Sequence, residues 1–90
     1  MPVYVDRMSP TQRSRRWPYD SACHLLADTI DELHAFAASL GLKREWYQPR
    51  STPHYDLTST RRSEAIRRGA EAIDREKVVE IVRKYRAVAR

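Results

Sequence analysis

The stretch ACHLLADTIDELHAFAASLG, residues 22–41, carries the clearest structural signals in the chain. ACHLLA, residues 22–27, is a short apolar run of the kind found in buried strands. Thr29 and Glu32 fit the capping box, in which a hydroxyl residue and a carboxylate three positions later satisfy the free N–H groups of a helix start. Apolar residues then recur at helical spacing, and Gly41 is placed to end the helix. The sequence therefore predicts a buried strand joined directly to a helix.

Further elements are predicted on both sides of this unit. The predicted strands are PVYVD (2–6), EWYQ (45–48) and AEAI (70–73), with HYDL (54–57) as an extended segment; the predicted helices cover residues 59–68, stopped by Gly69, and roughly 75–89, capped by Asp74. Strands that alternate with helices are typical of an α/β domain. We therefore expect one small α/β domain over residues 1–90, with a short, mostly parallel sheet and about three helices.

Composition narrows the class of protein. The chain has 90 residues, of which 41% are hydrophobic, and no run approaches the ~20 apolar residues of a membrane span. The N-terminal residues lack the apolar core of a signal peptide, so we expect a cytoplasmic protein without membrane contacts. Cys23 is the single cysteine, which excludes an intrachain disulfide and a paired-cysteine zinc motif, and its apolar surroundings predict a buried structural thiol. The small core also leaves a homodimer open.

Positive charge is concentrated in the second part of the chain. The formal net charge is +5, and residues 1–56 carry seven basic and seven acidic side chains, so the whole excess falls in residues 57–90. The predicted last helix, 75–90, is basic, and the predicted loop 7–21 contains four arginines. A basic region favours a polyanionic partner, such as nucleic acid or a nucleotide. The alternative is a solvated surface that keeps the protein soluble.

Polar residues stand where the predicted strands end. Asp6 follows the first strand, Asp28 follows the second, and His54 and Asp56 precede a helix. In an open α/β sheet, ligands bind at such junctions. The side chains of His54 and Asp56 face the same way in an extended segment, so we predict that His54, Asp56 and Asp6 form a catalytic acid–base group. The structural alternatives are a helix cap for Asp28 and hydrogen bonds to the following loop for Asp6.

Two further ligand sites are predicted from residue type. Asp6, Asp28, His24 and His34 are candidate ligands of a divalent metal ion, although their spacing matches no standard motif and half-buried structural histidines are the alternative. Thr58, Arg61 and Arg62 fall at a predicted helix start, where free N–H groups and guanidinium groups favour a bound phosphate or carboxylate. A solvent-facing arginine pair is the alternative there.

Four blocks of the sequence resemble a known family. VYVD, CHLLADTIDELHAFAASLGL, REWYQ and PHYDLTSTRRSEAIRRGA are similar to a family of small bacterial and phage proteins known only as domain of unknown function 4031. The likeness covers residues 3 to about 73, and it implies a cytoplasmic, prokaryotic or phage origin but no activity. The residues that match the family's blocks are Asp6, His24, Asp28, His34, His54, Tyr55 and Asp56.

Three functional hypotheses follow from the sequence. In the first, the protein binds a phosphate-bearing ligand, either nucleic acid or a nucleotide, with metal-assisted phosphoester hydrolysis or transfer. In the second, it is a non-catalytic nucleic-acid-binding module that uses the basic residues 61–90. In the third, it is a protein-interaction adaptor, such as a phage accessory factor, with an interface that includes Trp17, Tyr19, Trp46 and Tyr47.

Overall fold

A computed structural model of the protein describes residues 2–50 and 52–88. The strands are β1 (Val3–Val5), β2 (Ser9–Pro10), β3 (Ser21–Ala27), β4 (Tyr55–Leu57) and β5 (Glu71–Ala72), and the helices are α1 (Ile30–Ser39), α2 (Ser59–Arg67) and α3 (Arg75–Val88). Within these two ranges, no helix combines the length and apolar character needed to cross a membrane. The predicted α/β class with three helices is confirmed.

Strand β3 is the centre of the sheet. Leu25 in β3 pairs with Val5 of β1 and with Tyr55 of β4, so these two strands lie on opposite edges of β3. Both pairings are antiparallel, as is the pairing of β2 with the start of β3. Strand β5 adds to β1 in the parallel direction. The sheet is therefore mixed, with one parallel pair among four.

The prediction of a mostly parallel sheet is wrong, and residues 7–21 explain why. A parallel neighbour needs a crossover connection, usually a helix, whereas antiparallel neighbours need only a turn. The segment between β1 and β3 contains no helix, and its backbone folds back on itself: Thr11 N–H donates to the Asp20 carbonyl and Ser14 N–H donates to the Trp17 carbonyl. The chain thus returns beside β1 in the opposite direction.

The two faces of the sheet carry different side chains because successive residues of a strand point to opposite sides. We call the face of Val5 and Leu25 the inner face and the face of Tyr4 and Leu26 the outer face. The inner face forms the larger core with α1 and α2; its fully buried members include Val3, Val5, Cys23, Leu25, Leu33, Tyr55, Leu57 and Ala65. The buried position of Cys23 agrees with its prediction as a structural thiol.

The outer face is covered by a helix at one end. Tyr4 and Leu26 form a second buried cluster with Ile73 and with Ile81 of α3. Two residues earlier along β3, on the same face, the side chain of His24 is 49% exposed. The sheet therefore presents an uncovered polar area next to an apolar area that α3 buries.

Most of the local predictions around the helices are confirmed. Thr29 caps α1 by accepting the Glu32 N–H, and Gly69, with a φ of 110°, follows the end of α2. The predicted strand at EWYQ is wrong, because Arg44–Trp46 forms a single 3-10 turn, in which the N–H groups of Trp46 and Tyr47 donate to carbonyls three residues earlier. Gln48, the last residue of this stretch, instead forms an isolated antiparallel bridge with His54. The predicted last helix ends at Val88 as far as the structure describes it, and residues 89 and 90 lie outside the described ranges.

Candidate metal centre and adjoining groove

The uncovered part of the outer face brings together two histidines and an aspartate. His24 of β3 and Asp56 of β4 are directly paired across the two strands, so their side chains project from the same face. His54 lies two residues before Asp56 in extended backbone, and its side chain therefore projects in the same direction. The sequence predicted that His54 and Asp56 share a face, and the strand register adds His24 to them.

The three side chains converge on one small volume. Oδ1 of Asp56 lies 3.7 Å from Nε2 of His54 and 3.9 Å from Nε2 of His24. The imidazole rings of His24 and His54 meet edge to face, with their centroids 5.0 Å apart. One possible ligand atom from each residue falls within 4.8 Å of the other two, a spacing at which all three can bind the same metal ion.

Each of these side chains is oriented by a second polar group. Nδ1 of His24 lies 2.8 Å from Oδ2 of Asp6, whose Oδ1 also accepts the His24 backbone N–H. Nδ1 of His54 lies 2.7 Å from the backbone carbonyl oxygen of Thr52. Gln48 Nε2 donates to Oδ2 of Asp56 at 2.6 Å. These contacts leave Oδ1 of Asp56 and both Nε2 atoms directed towards one another.

The hydrogen bonds made by Nδ1 of His24 and of His54 also select the tautomer of each ring. A carbonyl oxygen only accepts hydrogen bonds, so Nδ1 of His54 carries the proton and Nε2 of the neutral ring carries the lone pair. The Asp6 carboxylate has the same effect on His24. The hydrogen bond that Nδ1 of His24 donates to Asp6 raises the pKa of His24; burial opposes this shift, and the charges of Asp6 and Asp56 add to it. In its neutral form, each ring therefore directs the lone pair of Nε2 towards the Asp56 carboxylate.

Cys23 precedes His24 but takes no part in this cluster. Its side chain is fully buried on the inner face, and burial, together with the nearby Asp6 charge, raises the pKa of the thiol to about 12. A buried thiol with that pKa is protonated near neutral pH and is a poor nucleophile. Both properties agree with the structural role predicted for Cys23.

A wide groove opens beside the histidine–aspartate cluster, with a volume of about 960 Å³. Its two walls are formed by residues from the 7–21 segment and from the segment between α1 and β4; the basic and aromatic members are Arg16, Trp17, Tyr19, Trp46, Tyr47 and Arg50. Asp56, Thr58 and Arg61 also line it. Asp56 therefore belongs both to the cluster and to the wall of the groove.

The 7–21 segment forms an arm whose tip carries Arg15 and Arg16. The guanidinium group of Arg13 makes two hydrogen bonds to the Asp20 carboxylate, at 2.7 and 3.2 Å. The Ser14 N–H bond to the Trp17 carbonyl then closes the tip. This arrangement holds the arginine-rich tip and the aromatic residues after it along one wall of the groove.

Two of the predicted metal ligands lie apart from the cluster. Asp28 follows the far end of β3, where its Oδ1 accepts a hydrogen bond from the Tyr4 hydroxyl at 3.0 Å. His34 of α1 lies on the inner side, where its Nδ1 is 2.8 Å from the Tyr55 hydroxyl and its ring meets Tyr47. Burial, together with the charge of Arg44, lowers the pKa of His34. The geometry thus joins Asp6 and His24 to the cluster but not Asp28 or His34.

The predicted anion-binding residues contact the protein itself. Thr58 caps α2 by accepting the Arg61 N–H. The Arg61 guanidinium donates to the Leu40 carbonyl at the end of α1, and Nε of Arg62 donates to the Asp6 carbonyl at 2.8 Å. Arg61 keeps a surface in the groove, whereas Arg62 fixes the backbone that carries Asp6.

Sequence reasoning missed two residues that orient the cluster. Gln48 acts through its side-chain amide and Thr52 through its backbone carbonyl, and neither group stands out in a sequence. The bridge between Gln48 and His54 brings the Gln48 side chain near Asp56. The groove was also missed, although four of its aromatic residues were named for the adaptor hypothesis.

Comparison with known proteins identifies a family but no characterised relative. No curated protein and no solved structure matches the chain. The model of the family described as protein of unknown function (DUF4031) matches residues 3–85, which include all four residues Asp6, His24, His54 and Asp56. The chain belongs to the DUF4031 family.

Proposed function

We propose that this protein binds a divalent metal ion through Nε2 of His24, Nε2 of His54 and Oδ1 of Asp56, and that it uses this ion to hydrolyse a phosphoester bond in nucleic acid or a nucleotide. One observation carries the proposal: the three ligand atoms converge while the opposite side of each group is held by a separate hydrogen bond.

The spacing of the ligand atoms supports a transition-metal ion. Bonds of about 2.0–2.2 Å to nitrogen and oxygen place neighbouring ligand atoms roughly 3–3.5 Å apart around the ion. The observed separations of 3.7 and 3.9 Å from Asp56 need only small side-chain movements to reach that range. Two imidazoles and one carboxylate favour Zn²⁺, Mn²⁺, Fe²⁺ or Ni²⁺ over Ca²⁺ and Mg²⁺, which prefer oxygen ligands.

Each proposed ligand makes, on the side away from the ion, the kind of hydrogen bond expected around a metal centre. Histidines that bind metals usually donate their other N–H to a carboxylate or a backbone carbonyl, and carboxylate ligands are hydrogen-bonded in turn. Asp6, the Thr52 carbonyl and Gln48 supply one such partner for each proposed ligand.

The cluster is also accessible to a substrate. Three protein ligands leave open coordination positions, which is the arrangement of catalytic rather than structural sites. The side chains of His24 and Asp56 are 49% and 31% exposed, and Asp56 faces the groove. A metal ion held here by His24, His54 and Asp56 would lower the pKa of a coordinated water and would polarise a phosphoryl oxygen. Arg16 and Arg50 on the groove walls are suited to hold the negatively charged phosphate groups.

The basic residues of 57–90 are weaker evidence for a phosphate-bearing ligand than the groove is. Arg67 and Arg68 pair with Glu64, and Lys77 lies 3.4 Å from Glu80. These pairs neutralise part of the charge on which the non-catalytic binding hypothesis depends. The aromatic residues of the adaptor hypothesis lie in the groove with arginines, an arrangement that favours a phosphate-bearing ligand.

Metal titration tests the proposal. We expect Zn²⁺, Mn²⁺ or Ni²⁺ to raise the melting temperature of the wild-type protein, because an ion that binds only the folded state stabilises it. His54→Gln and Asp56→Asn should abolish this shift. His34→Gln, which changes a histidine outside the cluster, should preserve it.

Hydrolysis of bis(p-nitrophenyl) phosphate by the metal-loaded protein supplies the second readout. We expect activity that chelation removes and that His54→Gln also removes. Metal binding without any phosphodiesterase activity would restrict the protein to a binding role. An equal thermal shift in wild type and His54→Gln would contradict the metal site.

A further inference from the structure

The groove beside the cluster exposes aromatic surface that the core does not use. The side chains of Trp46 and Tyr19 are each 47% exposed. Trp17 is held in place by a hydrogen bond from Nε1 to the Ser21 carbonyl at 3.1 Å, and its ring meets Tyr19 at a centroid distance of 5.0 Å. Partly exposed aromatic rings from two segments that line one groove offer a surface on which planar ligands can stack.

The same walls carry positive charge. Arg16 and Arg50 line the groove, and Nζ of Lys43 lies 5.7 Å from the centre of the Trp46 ring. The acidic residues of the lining are Glu45 and Asp56, and we assign Asp56 to the metal ion. The groove therefore combines aromatic rings with cations, which complements the bases and the phosphates of a polynucleotide.

Base pairing decides which polynucleotide fits. In a duplex, both faces of each base are stacked on neighbouring bases, so they offer no free surface to Trp17 or Trp46. Unpaired bases can splay apart and stack on aromatic side chains, whatever their sequence. The exposed rings are therefore useful only for a single strand.

We infer that the groove binds single-stranded nucleic acid, with bases stacked on Trp17 and Trp46 and with phosphates held by Arg16 and Arg50. The strand then passes Asp56, so this inference names the substrate class of the proposed metal site and depends on the proposed function for the reaction, although binding in the groove does not require the metal.

Fluorescence anisotropy tests this inference in EDTA, where cleavage is prevented. The probe is a fluorescein-labelled DNA 12-mer of mixed sequence, measured as a single strand and as the matching duplex. We expect the single strand to bind at least about ten-fold more tightly than the duplex, since the stacking of one base on an aromatic ring is enough for a change of this size. Equal binding of the two forms, or no binding at low salt, would overturn the inference.

Two variants separate stacking from charge. Trp46→Ala should weaken single-strand binding by about ten-fold, the loss expected for one stacked base. Arg16→Ala, at the exposed tip of the arm, should lower the slope of log affinity against log salt by about 0.7, which is the effect of one phosphate contact on a single strand. Arg83→Ala, an exposed position on α3 outside the groove, is the matched control and should change neither quantity. Equal losses in Arg83→Ala and Arg16→Ala would show that binding is a diffuse charge effect and would overturn the assignment to the groove.

The inference and the proposed function fail in different ways. Loss of the metal-induced thermal shift in His54→Gln, together with equal binding of single strand and duplex, would leave the metal site standing and remove the single-strand assignment. Tight single-strand binding that Trp46→Ala weakens, in a protein that no divalent metal stabilises, would retain the groove assignment and remove the proposed hydrolysis.

Discussion

The outer face of the sheet has two ends that share strands but not chemistry. Tyr4 and Leu26 lie at one end under α3, and Leu26 is 4% exposed. Two residues away along the same strands, Asp6 and His24 lie at the other end, where the His24 side chain is 49% exposed. The backbone presents the same pleated surface at both ends, so the difference comes from the side chains and from the helix that covers one of them.

The protein gives up stability at the uncovered end of the sheet. A domain of this size buries a modest core, and an uncovered sheet face gives up apolar burial that α3 obtains at the other end. The groups at the uncovered end instead bond to one another, with Asp6 on His24 and Gln48 on Asp56. Such a polar network next to a groove is expected where binding, rather than folding, sets the choice of residues.

The largest effect should come from the apolar end. Ile81→Ala removes a side chain that is 2% exposed and packs on Tyr4 and Leu26, so it should lower the free energy of unfolding by about 2–5 kcal/mol. Urea denaturation measures this loss. The folded fraction of Ile81→Ala should still bind Zn²⁺ with wild-type affinity. A metal affinity that falls together with stability would show that the two ends are not independent.

The next effect should appear at the polar end, in metal affinity rather than in stability. In Asp6→Asn, the amide nitrogen replaces the oxygen that faces Nδ1 of His24, so the imidazole proton is driven to Nε2 and the proposed lone pair is lost. We expect a loss of about 10–100-fold in Zn²⁺ affinity, as for other partners of metal-bound histidines. Isothermal titration calorimetry measures the change. An affinity equal to that of the wild type would mean that His24 is not a ligand.

The sequence predicted the local elements of the fold better than it predicted the direction of the strands. The strand and helix of residues 22–41 were predictable because their signals are local: an apolar run, a Thr29–Glu32 cap and a terminal glycine. The antiparallel direction of β1 and β3 was not, because it depends on how residues 7–21 fold back. The strand predicted at EWYQ failed because the N–H groups of Trp46 and Tyr47 bond within a local turn, which leaves Gln48 to pair with His54 in an isolated bridge.

The candidate site was predictable in part for the same reason. His54 and Asp56 share a face in any extended segment, so their pairing needed no knowledge of the sheet. Asp6 and His24 meet only because of the antiparallel register between β1 and β3. Asp28 was grouped with them on the assumption of parallel strands, and the observed topology places it at the opposite end of β3.

Asp28 therefore allows a third test of the difference between the two ends, in which the expected change in stability is smaller. The Tyr4 hydroxyl donates to Asp28, and burial, followed by this contact, raises the pKa of Tyr4 to about 12. Tyr4→Phe removes the hydrogen bond and should lower the free energy of unfolding by about 0.5–1.5 kcal/mol. Asp28→Asn should leave the Zn²⁺ affinity unchanged in calorimetric titration. A loss like that of Asp6→Asn would place Asp28 at the metal instead.

The smallest effect concerns His34, a histidine outside the polar end whose pKa shifts in the opposite direction to that of His24. Burial lowers the pKa of His34 in the folded state, whereas the unfolded residue titrates near 6.5. Below that pH the unfolded state takes up a proton that the folded state refuses, so the contribution of His34 to stability is present above pH 6.5 and is lost as the pH falls towards the lowered pKa. The raised pKa of His24 acts in the opposite sense, because it stabilises the fold at low pH and this contribution disappears as the pH rises through the raised value.

The contributions of His34 and His24 to the pH dependence of stability can be measured separately, because a variant can change His34 and keep His24. In metal-free protein, His34→Gln keeps a polar partner for the Tyr55 hydroxyl and removes the titrating group. Urea midpoints measured between pH 5 and 8 should show wild type losing stability relative to this variant below about pH 6.5, by less than the ~1.4 kcal/mol per pH unit that one proton can contribute. Parallel curves for the two proteins would contradict a lowered pKa for His34.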